Sequence, residues 1–238
     1  MFQSELLKRR CEEIGLTLSD NQLQQFDVYY HMLIDKNRVM NLTTITDMEE
    51  VINKHFVDSL LLNNVISVNS IEKIVDLGTG AGFPGIPLKI VFPHLNVTLI
   101  DSLKKRLVFL NEVIDALCLK NVTTVHGRAE DIGKMDSYRE MYDLCVSRAV
   151  ANLSTLSEYC LPLVKVGGKF ISYKSENIKD EVNASKKAIS ILGGEDAEIF
   201  YVSLPETNIE RSFVVINKRK MTPGKYPRKA GLPSKEPL

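Results

Sequence analysis

Ile71-Glu72-Lys73-Ile74-Val75-Asp76-Leu77 runs directly into Gly78-Thr79-Gly80-Ala81-Gly82-Phe83-Pro84-Gly85. A short, β-branched apolar run, then glycines, then helical spacing over 86–92 reads as strand, tight turn and helix. Glycines suit such a junction because the backbone turns sharply there and a ligand can lie against it without meeting a Cβ.

Downstream, the same alternation repeats. Strand-like runs at 96–101, 122–126, 142–148 and 169–174 are separated by helical patterns near 103–117 and 153–164. Strands alternating with helices imply βαβ crossovers and a doubly wound, mostly parallel sheet. A polar helix near 177–191 precedes strands at about 196–203 and 211–218. Only the turn-like stretch Pro205–Asn208 separates these two, too short for a crossover, so they should pair antiparallel and complete seven strands.

Upstream, residues 1–65 carry helical spacing and no strand signal. Leu6, Leu7 and Cys11 form one stripe, Leu23, Phe26, Tyr30 and Leu33 a second, and Val51, Ile52, His55, Phe56 and Leu60 a third. Ser19 with Gln22, and Thr46 with Glu49, have the spacing of capping boxes. The expected organisation is a helical segment 1–65, an α/β domain 66–218, and a basic, proline-containing tail 219–238 that is irregular or disordered.

With 44% hydrophobic and 25% charged residues, the 238-residue chain has the composition of a soluble globular protein. No run approaches the ~18 apolar residues of a membrane span, and Met1–Glu5 lacks the order of a secretory signal. Cys11, Cys118, Cys145 and Cys160 form no Cys-x-x-Cys pair, which argues against structural zinc and a disulfide framework. All four are expected to be small buried hydrophobes. These features lead to the expectation of a cytoplasmic, monomeric protein with no metal and no membrane partner. The zero net charge hides an asymmetry. Residues 217–238 carry +6 and residues 1–216 carry −6, so an acidic body ends in a basic tail suited to RNA.

Three readings of the glycine loop compete. Gly80-x-Gly82-x-x-Gly85 satisfies the dinucleotide fingerprint. Asp76-x-Gly78-x-Gly80-x-Gly82 matches the loop of S-adenosylmethionine-dependent methyltransferases, and a turn without a ligand is the third reading. The Asp76 carboxylate favours the second, because it repels a pyrophosphate and suits a cofactor that carries an ammonium and no phosphate. Asp101, at the end of the second strand, has the register to accept hydrogen bonds from ribose hydroxyls. Ala129 and Glu130 follow the third strand, where an adenine would lie. The fourth strand ends Ser147-Arg148-Ala149-Val150-Ala151, without the Asn/Asp-Pro-Pro-aromatic motif of amino-group methylation or the Cys nucleophile of cytosine-C5 methylation. A nitrogen with an in-plane lone pair, such as guanine N7, needs neither. Arg148 is placed to contact the cofactor carboxylate, guanine O6/N7 or a phosphate. His55 reads first as a hydrogen-bonded core histidine and second as an RNA-facing or packing residue.

These motifs together resemble the bacterial RsmG (GidB) family of small-subunit rRNA guanine-N7 methyltransferases. Asn41-Leu42-Thr43, His55-x-x-Asp58-Ser59-Leu60, Phe83-Pro84-Gly85-Ile86-Pro87-Leu88, Asp101-Ser102-x-x-Lys105-Arg106, Arg128-Ala129-Glu130, Ser147-Arg148-Ala149 and Tyr226-Pro227-Arg228-Lys229 carry the resemblance. It implies a Rossmann-like class I methyltransferase sheet with an antiparallel last strand, S-adenosylmethionine as cofactor, and a guanine near the decoding centre of 16S rRNA as target. The expected cofactor residues are Asp76, Gly78, Gly80, Phe83, Asp101, Ala129, Glu130 and Arg148. The expected RNA contacts are Arg128, Arg148, Arg211, Lys225, Tyr226, Arg228 and Lys229, with no catalytic side chain. The competing expectations are a non-catalytic RNA-binding or ribosome-assembly protein and an NAD(P)-dependent reductase.

Overall fold

In the computed structural model, which describes residues 2–148, 151–175 and 178–238, seven strands form one mixed sheet in the order β3-β2-β1-β4-β5-β7-β6. They are β1 (Lys73–Leu77), β2 (Asn96–Asp101), β3 (Val122–His126), β4 (Tyr142–Ser147), β5 (Val164–Lys174), β6 (Glu198–Ser203) and β7 (Glu210–Asn217). The four ladders that join β1 to β5 are parallel, whereas β7 runs antiparallel to both β5 and β6. The order reverses between β1 and β4, which opens a crevice outside the carboxyl ends of these strands. Register pairs Leu77 with Ile100 and Asp101 with His126, so the glycine loop, Asp101, the turn after β3 and Arg148 emerge along one edge.

Alternation along each strand sends neighbouring side chains to opposite faces. Ile74, Val97 and Leu99 join one core, and Val75, Leu77 and Ile100 the other. On the first face lie α1 (Ser4–Glu13), α2 (Asp20–Met40), α5 (Gly85–Val91) and α6 (Lys104–Ala116), whose Leu7, Phe26, Ile86 and Leu110 share that core. On the second lie α7 (Ala129–Ile132), α8 (Leu153–Cys160) and α9 (Lys179–Ile191).

The Ser19/Gln22 capping box forms as expected. The second one does not. Asp47, not Thr46, caps the next helix by accepting from Glu50 N at 3.0 Å. The expected single helix after it changes hand-hold repeatedly: α3 (Met48–Val51), a π turn over Ile52–Val57, α4 (Asp58–Leu60) and a 3₁₀ turn over Leu61–Asn64. Helical spacing alone does not distinguish these hydrogen-bond patterns. The helix expected to reach 164 ends at Cys160, because Pro162 lacks the N–H that would continue it and a 3₁₀ turn takes over. Cys11, Cys145 and Cys160 are buried, but Cys118 is exposed.

The tail is irregular apart from α10 (Leu232–Lys235), but it is packed rather than disordered. Arg139 donates to the carbonyls of Thr222 (2.6 Å) and Tyr226 (2.9 Å). Lys218 is buried, donating to Leu161 O at 2.5 Å and Thr222 Oγ1 at 2.7 Å. Burial pushes its ammonium down to about 8, so this cation belongs to the fold and not to an electrostatic handle. Among the described residues, no helix is long and apolar enough to cross a membrane.

Candidate active site

Asp76 fastens the glycine loop at both ends. Its Oδ2 accepts from Thr79 Oγ1 at 2.7 Å and from Gly85 N at 2.9 Å. The side chain is wholly buried, and burial pushes its carboxyl up to about 6 against those two donors. Sequence reasoning placed Asp76 against the ligand. The structure puts it beneath the loop and outside the cavity wall, so its charge reaches a ligand only through the loop.

Gly78, Gly80 and Gly82 have φ of +74°, +61° and +106°, a region that costs other residues strain. The first two line the cavity. Gly82 instead faces inward, where a Cβ would lie 2.6 Å from Tyr29 Oη and 2.8 Å from Ile86. The dinucleotide fingerprint needs its second glycine, here Gly82, against the pyrophosphate. That glycine is spent on packing, which disfavours the dinucleotide reading.

The cavity measures about 680 Å³ and opens at the sheet's switch point, within the range of small-molecule sites. Gly78, Gly80, Asp101 and Arg106 line its middle, and Ala129, Glu130, Leu156 and Tyr159 line the end below β3. Asp101 Oδ2 accepts from Gly80 N (3.0 Å) and Arg106 Nη1 (3.2 Å), while Oδ1 accepts from Leu103 N (2.8 Å). The carboxylate thus holds the loop as well as facing the cavity. Backbone bared at Gly78 and Gly80, with carboxylates at Asp101 and Glu130 to accept from hydroxyl and amino groups, fits S-adenosylmethionine.

Leu42, Thr43, His55, Phe83 and Arg148 line the opposite end. Arg148 lies over the Phe83 ring, 5.0 Å from its centroid, and His55 stacks on the same ring at 4.6 Å. Arg148 Nη1 donates to Lys54 O (3.0 Å), a carbonyl on the π turn, and to Asp58 Oδ2 (2.9 Å). Asp58 Oδ1 accepts from Arg211 Nε at 2.5 Å. His55 Nδ1 lies between Lys54 O (3.1 Å) and Arg148 Nη2 (3.2 Å), and Nε2 shares a hydrogen bond with Thr43 Oγ1 (2.8 Å). Burial, reinforced by the Arg148 charge, pushes His55 down to about 3, so it stays neutral.

The structure brings Gly78, Gly80, Phe83, Asp101, Ala129, Glu130 and Arg148 to one cavity, with the exposed Arg128 at its rim. It separates the expected RNA contacts. Lys225 and Lys229 are exposed. Arg211 is instead tied to Asp58. Arg228 is locked to Glu158, and Tyr226 is buried, so neither is available to RNA as expected. Ala149 and Val150 of the Ser-Arg-Ala motif lie outside the described residues. Thr43, Tyr159 and Arg106 were missed as wall residues. Only the Asn-Leu-Thr and Asp-Ser-x-x-Lys-Arg motifs signalled the first and last. Among the described residues, no cluster of His, Cys, Asp and Glu could hold a metal ion.

The family model described as rRNA small subunit methyltransferase G matches residues 22–210. The chain is 51% identical to the ribosomal RNA small subunit methyltransferase G of an Exiguobacterium species over 238 residues, 100% of both chains. It is 52% identical to the protein of that name from Bacillus pumilus, over 95% of each. Among solved structures, it superimposes on an S-adenosylmethionine-dependent O-methyltransferase from Thermotoga maritima with a TM-score of 0.53 and 17% identity, covering 80% of this chain and 73% of the other. A precorrin-6y C5,15-methyltransferase from Geobacter metallireducens gives 0.51 and 14%, covering 73% and 90%. These two likenesses concern the fold. By its sequence, over essentially its whole length, the chain belongs to the rRNA small subunit methyltransferase G (GidB) family.

Proposed function

We propose that the chain transfers the methyl group of S-adenosylmethionine to N7 of a guanine in 16S rRNA near the decoding centre, with no side chain as obligatory base. The supporting observation is the state of the ionisable groups at the β4 end of the cavity. His55 is too weak a base to take a proton near neutrality, and both oxygens of Asp58 are engaged by arginines. A site so equipped suits a nucleophile whose lone pair is already free, and its work is orientation and exclusion of water.

The bound cofactor supplies an electrophilic methyl on a sulfonium. Asp101 accepts from the ribose hydroxyls, and Ala129 with Glu130 borders the adenine. Gly78 and Gly80 let the backbone approach, and Phe83 with Arg148 closes the β4 end. Thr43 Oγ1 accepts from Ile45 N (3.0 Å) and shares a hydrogen bond with His55 Nε2 (2.8 Å), which ties this wall residue to the β4 end.

The single-turnover rate of methyl incorporation into rRNA should be flat between pH 7 and 9, above the range in which buried Asp76 protonates. A rise with an apparent pKa near 8 that one substitution removes would overturn the mechanism. Mass mapping of the modified base, compared with rRNA from cells lacking the gene, tests the N7 assignment. Methyl incorporation itself separates the enzyme from a silent RNA-binding protein on the same fold.

Arg128, Lys225 and Lys229 are the exposed cations of the expected RNA set. Replacing Lys225 and Lys229 by Ala should lower the salt slope of log K for RNA by about 1.4, at about 0.7 per phosphate contact. Cofactor affinity should not change. Parallel slopes for the two proteins would remove the tail from the RNA interface.

A further inference from the structure

Helix α8 separates the cavity from the tail. Leu156 and Tyr159, three residues apart, line the cavity. Thr155 and Glu158, also three apart, meet the tail. Thr155 Oγ1 donates to Pro233 O at 2.9 Å. Glu158 is 0% exposed, and its carboxylate accepts from Arg228 N (2.8 Å), Nε (2.9 Å) and Nη2 (2.7 Å). Arg228 Nη2 also donates to Glu236 O at 2.8 Å, which closes the tail on itself.

From there the tail reaches both polar groups of the adenine end. Gly231 N donates to Glu130 Oε1 at 2.8 Å, across 101 positions of sequence. The Tyr159 hydroxyl shares a hydrogen bond with Ser234 Oγ at 3.0 Å. Pro227 packs against Gly133 at the end of α7, close enough that a Cβ there would lie 2.9 Å from the proline ring. Glu130 and Tyr159 are therefore held from behind, from outside the cavity they line. A carboxylate has more acceptor sites than one amide uses, so Glu130 can still accept from a donor inside.

We propose that the tail, through Arg228, Gly231 and Ser234, is a clasp that sets the purine specificity of the cofactor site. It fixes the Glu130 carboxylate to accept from the 6-amino group of adenine. Arg228 is thus a positioning residue, acting through Glu158 and the tail backbone on Glu130. The inference rests on the reading that this cavity takes S-adenosylmethionine, and it goes beyond that reading in assigning adenine recognition to residues that touch no cofactor.

The test compares two probes by calorimetry on the full-length chain: S-adenosylhomocysteine, and S-inosylhomocysteine, whose 6-oxo group cannot donate. The wild type should prefer the amino probe by about tenfold or more, the scale of a hydrogen bond to a charged acceptor. Arg228→Ala should weaken S-adenosylhomocysteine to within about twofold of the inosine probe, whose own affinity stays put. Arg228→Lys should recover little, since a point charge cannot replace the bidentate fork. Should Arg228→Ala fail to fold because Glu158 is left as an unpaired buried charge, Glu158→Gln with Arg228→Ala removes that charge and takes its place. Equal weakening of both probes, or undiminished preference in the variants, would overturn the clasp. A wild type that binds neither probe would overturn the cofactor reading and the clasp with it, whereas a wild type that binds both equally would overturn only the clasp.

Discussion

Asp58→Ala should reduce methyl transfer by at least about a hundredfold and lower the thermal midpoint by several degrees. The side chain is only 3% exposed and bridges Arg148, which closes the β4 end of the cavity, to Arg211 on β7. Removing it leaves two guanidiniums facing one another without their shared counter-ion. Breaking a buried pair costs about 3–5 kcal/mol. Both arginines are about a fifth exposed, so water recovers part of this and ~2–3 kcal/mol is expected. For a chain of this size that corresponds to a midpoint roughly 5–10 °C lower. The kinetic loss has a separate cause. Without Asp58 the guanidinium of Arg148 is no longer held over Phe83, and misplacement of about 1 Å costs about a hundredfold. A folded Asp58→Ala protein with a single-turnover rate within threefold of wild type would show that Arg148 needs no such anchor.

Gly82→Ala should be comparably damaging, by steric means. The new methyl would meet Tyr29 Oη, Ile86 and Leu110 at 2.6–2.9 Å, on a backbone at φ +106°. Backbone strain of about 1–3 kcal/mol adds to overpacking of about 1–3 kcal/mol. Tyr29 cannot simply move aside, because its hydroxyl donates to Ala81 O at 2.5 Å and its ring packs on Phe56 and Phe83. Stability should fall by ~3 kcal/mol, and cofactor affinity should fall with it as the loop shifts. Gly224→Ala is the control, since a Cβ there meets nothing within 4 Å. Denaturant melts of both variants, with cofactor titration, check this. Equal melts would mean that the loop has slack the packing does not suggest.

The sheet was legible because its strands are short, apolar and punctuated by glycine, proline or charge, and the register follows once each carboxyl end is known. Asp101 and Glu130 could be placed for the same reason. Three things escaped. The π turn at Ile52–Val57 leaves no mark on hydrophobic spacing, so the meeting of His55 and Arg148 was not foreseeable from the helix pattern. Arg211 and Arg228 look like solvated cations, because their partners Asp58 and Glu158 lie 153 and 70 positions away. The tail has the prolines and lysines of a disordered segment. Buried Lys218, Thr222, Tyr226 and Pro233 nevertheless pin it to the body, and composition counts do not record which particular side chains find carbonyls.

Tyr29 belongs to α2, yet it forms the floor on which the glycine loop rests, and Phe26 and Phe56 extend that floor into the same core as Ile74 and Leu99. Many folds acquire new substrates by recombination, when an appendage is exchanged and the catalytic scaffold is kept. That route is narrow here, because replacing the helical segment would take away a ring that seats the loop. Changes of target in such a chain would have to arise by substitution along the cavity mouth, at positions such as Leu42 and Thr43, with the buried aromatic contacts inherited intact. Recognition and catalysis are therefore bound to drift together.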